Sequence, residues 1–134
     1  MTKIGRSLSL VAFVGVMVAS TLPAQAQSAE VRLKASMVSG AASGKAEYRE
    51  RGNRKRLNVQ AEDLAGSTIS LQNVYINGVS VGTMALAACP APATQLLCGE
   101  MELNSQDGQV APQVRTGDTV SVGFSPAVLA GVFR

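Results

Sequence analysis

The sequence predicts an all-β fold, an antiparallel β-sandwich or a small barrel of about eight short strands. Three observations lead to this prediction. Apolar and polar residues alternate along short runs such as 31–38, which is typical of strands with one buried face. Turn signals separate these runs, and Asn77-Gly78 is the strongest of them. No amphipathic helix of useful length interrupts the pattern.

Residues 1–26 predict a secretory signal peptide. Lys3 and Arg6 form a basic start, residues 8–20 a short apolar stretch, and Ala24-Gln25-Ala26 an A-x-A cleavage site. The apolar stretch is too short to cross a bilayer comfortably, and an uncleaved anchor is the alternative. We therefore expect one all-β domain over residues 27–134, periplasmic or secreted, with no transmembrane segment in the mature chain.

The composition argues against several classes of function. Removing Lys3 and Arg6 from the twelve basic residues leaves ten, against nine acidic residues, so net charge alone gives no argument for nucleic-acid binding. Histidine is absent, which removes the usual Ser/His and Cys/His catalytic pairs and the commonest transition-metal ligand. We expect no catalytic residue, no cofactor, no metal and no specific nucleic-acid partner.

The first strand is predicted at 31–38, because one face of it collects the apolar side chains of Val31, Leu33, Ala35 and Met37. The small residues 39–44 predict a loop. Residues 61–66 predict a turn after the next two strands.

Between those two connections, residues 45–60 predict a hairpin around Gly52-Asn53, since Gly at the first central position suits a type II′ turn. In this register the apolar residues share one face: Ala46, Tyr48, Leu57 and Val59. The other face carries four arginines: Arg49, Arg51, Arg54 and Arg56.

Asn77-Gly78 predicts a type I′ hairpin between residues 68–76 and 79–88. The simplest register pairs Ile76 with Val79, Val74 with Val81, Leu71 with Met84 and Ile69 with Leu86. Apolar residues change face along this hairpin, which predicts a bulge at Gly82, opposite Asn73.

Cys89 and Cys98 are the only cysteines. Because an exported chain enters an oxidising compartment, we predict that they form a disulfide. Pairing Met84 with Leu103 and Leu86 with Met101 places the two cysteines opposite each other. Residues 90–97 then form the connecting loop. A redox pair is the alternative, but the spacing is not C-x-x-C.

The rest of the chain predicts two more strands joined by turns. Residues 104–108 and 115–118 predict turns, and 110–114 a short extended piece. Residues 119–124 predict a strand with Val120, Val122 and Phe124 on one face. After a turn at 125–127, residues 128–133 predict the last strand.

Several runs resemble small exported all-β bacterial domains of uncharacterised function. These runs are Gly44–Arg51, Val74–Thr83, Met101–Asn104, Gly117–Val120 and Leu129–Phe133. More distantly the chain resembles CHRD-type domains, which are secreted β modules. The resemblance implies the fold and no particular chemistry, and the histidines frequent in CHRD-type domains are missing here.

Two groups of carboxylates are candidates for acid–base or Ca²⁺ chemistry: Glu62-Asp63 and the strand neighbours Glu100 and Glu102. We favour the simpler explanation that they are solvated turn and strand residues, because the composition indicates no cleft of the kind that paired catalytic carboxylates need. A small carboxylate-dependent hydrolase is therefore the rival to a binding role. An accessory or inhibitor subunit that docks through residues 90–97 is a further alternative.

The arginine hairpin is the sharper candidate site. Guanidinium groups keep their charge and offer a planar fork for phosphate and carboxylate groups. We expect a non-catalytic binding or structural module, monomeric or weakly associating, that uses this hairpin. The partner would be an anionic envelope polymer, a lipid head group or an acidic protein. The alternative is a charged ribbon that is merely solvated.

Overall fold

The computed structural model describes residues 29–65, 70–123 and 129–134. Predictions for the signal peptide, for Ile69, for Phe124 and for the 125–127 turn lie outside these ranges. The eight strands of the model are β1 (Val31–Ser39), β2 (Ala42–Arg51), β3 (Arg54–Leu64), β4 (Ser70–Ile76), β5 (Val79–Ala88), β6 (Leu97–Asn104), β7 (Thr119–Val122) and β8 (Leu129–Val132). A 3₁₀ turn at Ser105–Asp107 is the only helical element in the described ranges.

All eight strands belong to one antiparallel sheet in the order β1-β2-β3-β6-β5-β4-β7-β8. The outermost strands of this order also meet. The backbone N–H of Lys34 donates to the Arg134 carbonyl (3.0 Å), and the N–H of Arg134 donates to the Lys34 carbonyl (2.9 Å). The sheet is therefore nearly closed into a barrel, which confirms the all-β prediction and decides for the barrel. Gly131 permits this closure, because a Cβ there would collide with the Ser36 carbonyl.

The barrel interior holds the apolar face that the alternation predicted. Tyr48, Leu57 and Val59 are completely buried, and so is Met37 on β1. Val31 is the exception among the β1 residues assigned to this face, because it lies at the rim and is 42% exposed. No charged side chain is buried among the described residues.

The β2–β3 hairpin has the predicted register, with Arg51 opposite Arg54 and Tyr48 opposite Leu57. Its turn has a positive φ at Gly52 (60°) but not at Asn53, as a type II′ turn requires. Both connections flanking this hairpin were predicted wrongly. The predicted 39–44 loop is instead a two-residue turn at 40–41. The small residues after it belong to β2, where they allow the strands to pack closely.

The predicted turn at 61–66 is wrong because β3 continues to Leu64. Its pairing with β6 is irregular between Ala61 and Leu64, which marks a β-bulge. Asp63 within this bulge has a φ of 58°, a left-handed conformation that is uncommon for a residue other than glycine.

The Asn77-Gly78 turn is of type I′, with φ values of 50° and 80°, and Ile76 pairs with Val79 as predicted. The predicted bulge exists, but it falls between Ser80 and Gly82 and leaves Val81 unpaired. The extra residue shifts the rest of the ladder by one. The predicted pairs Val74–Val81 and Leu71–Met84 are therefore wrong, and Gly82 lies opposite Val74 instead of Asn73.

The β5–β6 register differs from the prediction by two residues. Ala87 lies opposite Cys98, and Leu86 lies opposite Gly99. Cys89 lies just beyond β5, where its N–H donates to the Leu96 carbonyl (2.9 Å). The predicted disulfide is nevertheless confirmed: Cys89 and Cys98 are joined diagonally, with an S–S distance of 2.01 Å and a Cα–Cα distance of 4.9 Å.

In the described C-terminal part, β7 and β8 lie where strands were predicted, and residues 110–114, predicted as a short extended piece, belong to no strand. Val114 is nonetheless buried beneath the barrel end. β7 pairs with β4 on one side and β8 on the other, with Val122 opposite both Val74 and Leu129.

Candidate functional site

The four predicted arginines lie on the outer face of the β2–β3 hairpin in two directly opposed pairs. Arg49 faces Arg56, and Arg51 faces Arg54 across the turn. Like charges directly opposite each other destabilise a strand pair unless something compensates them.

The two pairs differ in how their charge is compensated. Arg49 forms an ion pair with Glu47 (Nη2–Oε1, 3.1 Å), and Arg56 forms one with Glu102 on the neighbouring strand β6. Arg51 and Arg54 are exposed and form no ion pair with any described residue. The uncompensated charge is therefore concentrated at the tip of the hairpin.

A fifth arginine, missed in the sequence, belongs to this face. Arg32 on β1 lies directly opposite Arg49 and forms an ion pair with Glu30 (3.2 Å). Arg32, Arg49 and Arg56 thus form a row across three strands. The alternation along β1 already placed Arg32 on the polar face. The wrongly predicted 39–44 loop concealed the pairing that brings it beside Arg49.

A depression of about 260 Å³ opens at this end of the barrel, and all four predicted arginines and Lys55 line it. Two carboxylates, Glu30 and Glu50, also line it, so five basic groups face two acidic ones. Lys55 also forms no ion pair with a described residue. Its backbone N–H donates to Ser105 Oγ (2.9 Å), which anchors the hairpin to the 3₁₀ turn. Several guanidinium forks around one depression are suited to binding phosphate, sulfate or carboxylate groups.

The inner side of the same end is held by a hydrogen-bond network around Glu50. The buried Tyr48 hydroxyl donates to Glu50 Oε1 (2.7 Å), and Gln113 Nε2 donates to the same oxygen (2.6 Å). These hydrogen bonds lower the pKa of Glu50, and the one from Tyr48 has the largest effect. Burial, aided by the carboxylate, raises the pKa of Tyr48. The network joins Glu50 of β2 to Gln113 and so holds the inner side of the arginine hairpin in place.

The predicted carboxylates only partly converge. Glu62, Asp63 and Glu100 line an open groove of about 480 Å³ toward the opposite end of the barrel, next to the disulfide. Glu102 does not belong to it, because it pairs with Arg56. Pro90 and Ala93, from the loop proposed for docking, also line the groove.

Glu100 is held by two amide donors, Asn58 Nδ2 (2.7 Å) and Gln60 Nε2 (3.2 Å). These hydrogen bonds lower the pKa of Glu100 and favour its carboxylate form. The bond from Asn58 has the larger effect. The carboxylate of Asp63 also lies within 4.8 Å of both cysteine sulfurs. The sulfurs form a disulfide and offer no thiolate, so this group is not a metal-ligand set as it stands.

No protein-family model, curated protein or solved structure matches this chain significantly. Among the described residues, no helix has the length and apolar character needed to span a membrane.

Proposed function

We propose that this chain is an exported, non-catalytic binding module whose arginine hairpin binds a linear polyanion of the cell envelope. One observation carries the proposal: Arg51 and Arg54 are directly opposed, exposed and without an ion-pair partner among the described residues. A bound anion would relieve a repulsion that the described structure leaves uncompensated.

The remaining arginines extend the site at little energetic cost. The ion pairs of Arg32, Arg49 and Arg56 are all at the surface, where such a pair contributes only about 0–1 kcal/mol. Each arginine can therefore exchange its carboxylate for a ligand anion. The site then comprises five guanidinium groups on one face.

A polymer fits this arrangement better than a single head group. Neighbouring strands lie about 4.8 Å apart, so the row Arg32–Arg49–Arg56 spans roughly 10 Å. A chain with repeated phosphate, sulfate or carboxylate groups would contact the row and the tip together. A single head group would contact only part of it.

The groove beside the disulfide supports the rival function, because it brings Glu62 and Asp63 together with Glu100. A carboxylate-dependent hydrolase needs one carboxyl group that stays protonated to act as general acid. The hydrogen bonds to Glu100 lower its pKa, which is the opposite requirement. We therefore favour binding over hydrolysis.

The test measures binding of the purified protein to heparin, lipopolysaccharide and vesicles of acidic phospholipid. Each is measured at about 20 mM and about 300 mM salt, conditions that differ strongly in screening. We expect binding to heparin that weakens with salt. Arg51→Ala/Arg54→Ala should weaken it at least tenfold, and Arg49→Ala/Arg56→Ala should also weaken it.

Lys34→Ala/Lys45→Ala is the matched control, since it removes the same charge from the outer face away from the tip. It should change the affinity less than about threefold, by screening alone. Equal losses in the tip and control variants, or no binding at low salt, would contradict the proposal. Binding to vesicles but not to heparin would assign the site to a lipid head group.

A further inference from the structure

The charges of the described residues are distributed unevenly along the barrel axis. The arginine tip lies where β3 begins, at Arg54, and the carboxylate groove lies near its end, around Asp63. The groove lining begins at Gln60, six residues beyond Arg54, so at about 3.3 Å per residue roughly 20 Å separate the two regions. The tip and the groove of one molecule therefore cannot touch each other.

The groove is shaped and charged for a cationic ligand. Glu62, Asp63 and Glu100 line it, and none of its described lining residues is a lysine or arginine. Its remaining walls include the disulfide and Pro90, which offer an apolar surface to the stems of basic side chains. The bulge in β3 contributes by taking Asp63 out of the regular strand alternation.

The hairpin tip has the complementary properties. It is a two-residue turn carrying Arg51, Arg54 and Lys55, and none of the three is engaged in an ion pair with a described residue. Gly52 and Asn53 between them are exposed. Lys55 lies directly opposite Glu50, whose charge offsets its own, so the uncompensated positive charges are those of Arg51 and Arg54. These two charges are complementary to the carboxylates of the groove.

We propose that the hairpin tip of one copy of this chain docks into the carboxylate groove of a second copy. Two different surfaces meet in such a contact, so it is heterologous and runs head to tail. Each added molecule leaves one free tip and one free groove. The product is therefore a short, open-ended row of molecules rather than a closed dimer.

The contact is weak and depends on salt, because its ion pairs lie at the surface. Dissociation constants on the order of 10⁻⁴ M are expected at low salt, so association becomes visible only in concentrated solution. The contact shares the arginine tip with the proposed polyanion site. The self-association does not rest on polyanion binding, because the carboxylate groove takes no part in that binding.

Sedimentation equilibrium of the purified protein at high concentration tests the inference. At about 20 mM salt the average mass should rise with concentration, and about 300 mM salt should weaken the association at least tenfold. Arg51→Glu/Arg54→Glu should be monomeric, since an acidic tip meets an acidic groove. Glu62→Lys/Glu100→Lys should be monomeric for the converse reason.

An equimolar mixture of these two variants should associate again, because each now offers a surface of opposite charge to the other. Lys34→Glu/Lys45→Glu is the matched control for general attraction, since it changes the net charge by the same amount as the tip variant. Its mixture with Glu62→Lys/Glu100→Lys should associate at least tenfold more weakly than the tip-variant mixture. Equal association in both mixtures would overturn the inference, and so would a concentration-independent monomer mass at low salt.

One further variant separates this inference from the proposed function. Glu62→Gln/Glu100→Gln keeps every arginine and removes two of the three negative charges of the groove. It should lose self-association and retain heparin binding. If heparin binding fails while wild-type self-association persists, the polyanion function is wrong and the docking surface stands. Circular dichroism of each variant establishes that the barrel is folded.

Discussion

Asn77 and Thr119 hold the tip of the β4–β5 hairpin against the start of β7. The Asn77 N–H donates to the Thr119 carbonyl (2.9 Å), and the Thr119 N–H donates to Asn77 Oδ1 (2.9 Å). Asn77 also has a φ of 50° at the first central position of its turn. One residue therefore both forms a local turn and joins two strands separated by more than forty residues.

Replacing Asn77 separates these two roles. Asn77→Gly keeps the backbone freedom and loses the side-chain hydrogen bonds to Thr119 and Asp118, so we expect a loss of about 1 kcal/mol in the free energy of unfolding. Asn77→Ala adds the cost of a left-handed alanine and should lose about 2–3 kcal/mol. Urea denaturation measures both. Gly78→Ala reports the backbone cost alone, since no atom lies near its Cβ. Equal losses for the two Asn77 variants would contradict the left-handed role.

The ring of Tyr48 fills the core, and its hydroxyl group should contribute measurably to stability as well. It donates to Glu50 Oε1 (2.7 Å), which also accepts from Gln113. Tyr48→Phe removes the donor on the buried side of Glu50 and should cost about 1–3 kcal/mol. Glu50→Gln keeps an acceptor oxygen and should cost less. Thermal unfolding distinguishes these outcomes, and an unchanged stability in Tyr48→Phe would show that the network is dispensable.

Stability should fall in acid but not near neutral pH. The pKa values of Glu50, Glu100 and Asp118 are all lowered by hydrogen bonds that favour their carboxylates. A lowered pKa stabilises the fold above the ordinary carboxyl pKa, which is 4.5 for the glutamates. This contribution is lost as the pH falls through the lower pKa of the folded state.

Urea denaturation at a series of pH values tests this expectation. The midpoint should be level from neutral pH to about 5 and decline below about 4.5. Asn58→Ala/Gln60→Ala removes both donors to Glu100 and should make the decline shallower. A midpoint that declines already above pH 6 would require a different titrating group.

The disulfide should stabilise the barrel without being required for folding. Cys89→Ser/Cys98→Ser opens a short loop, so the chain-entropy relation predicts a loss of roughly 2–3 kcal/mol. None of residues 90–96 is buried, so the core does not depend on this loop and the variant should keep its circular dichroism spectrum. Non-reducing mass spectrometry of the native protein should show a mass two hydrogens below that of the reduced chain. Two free thiols there would contradict the assignment.

The sequence by itself determined the features that depend on local chain geometry. Gly52-Asn53 and Asn77-Gly78 set two turn types, because only certain residues adopt positive φ at low cost. The first turn also determined the register of Arg49, Arg51, Arg54 and Arg56, since no residue is inserted in either strand beside it. The cysteine pair was predicted from the expected oxidising compartment and from a β5–β6 register, and the pair is present although that register was wrong by two residues.

Tertiary structure decided which strands meet and in what register. Alternation assigns a side chain to a face, but a shift of two residues leaves every face unchanged, as between β5 and β6. The pairings β3–β6 and β4–β7 connect residues far apart in the chain. The β3–β6 pairing placed Asp63 near Glu100 in one groove. Arg32 lies beside Arg49 through the β1–β2 hairpin, whose turn at 40–41 the sequence did not reveal. The distant pairings exist because the barrel buries its apolar face only when distant strands close around it.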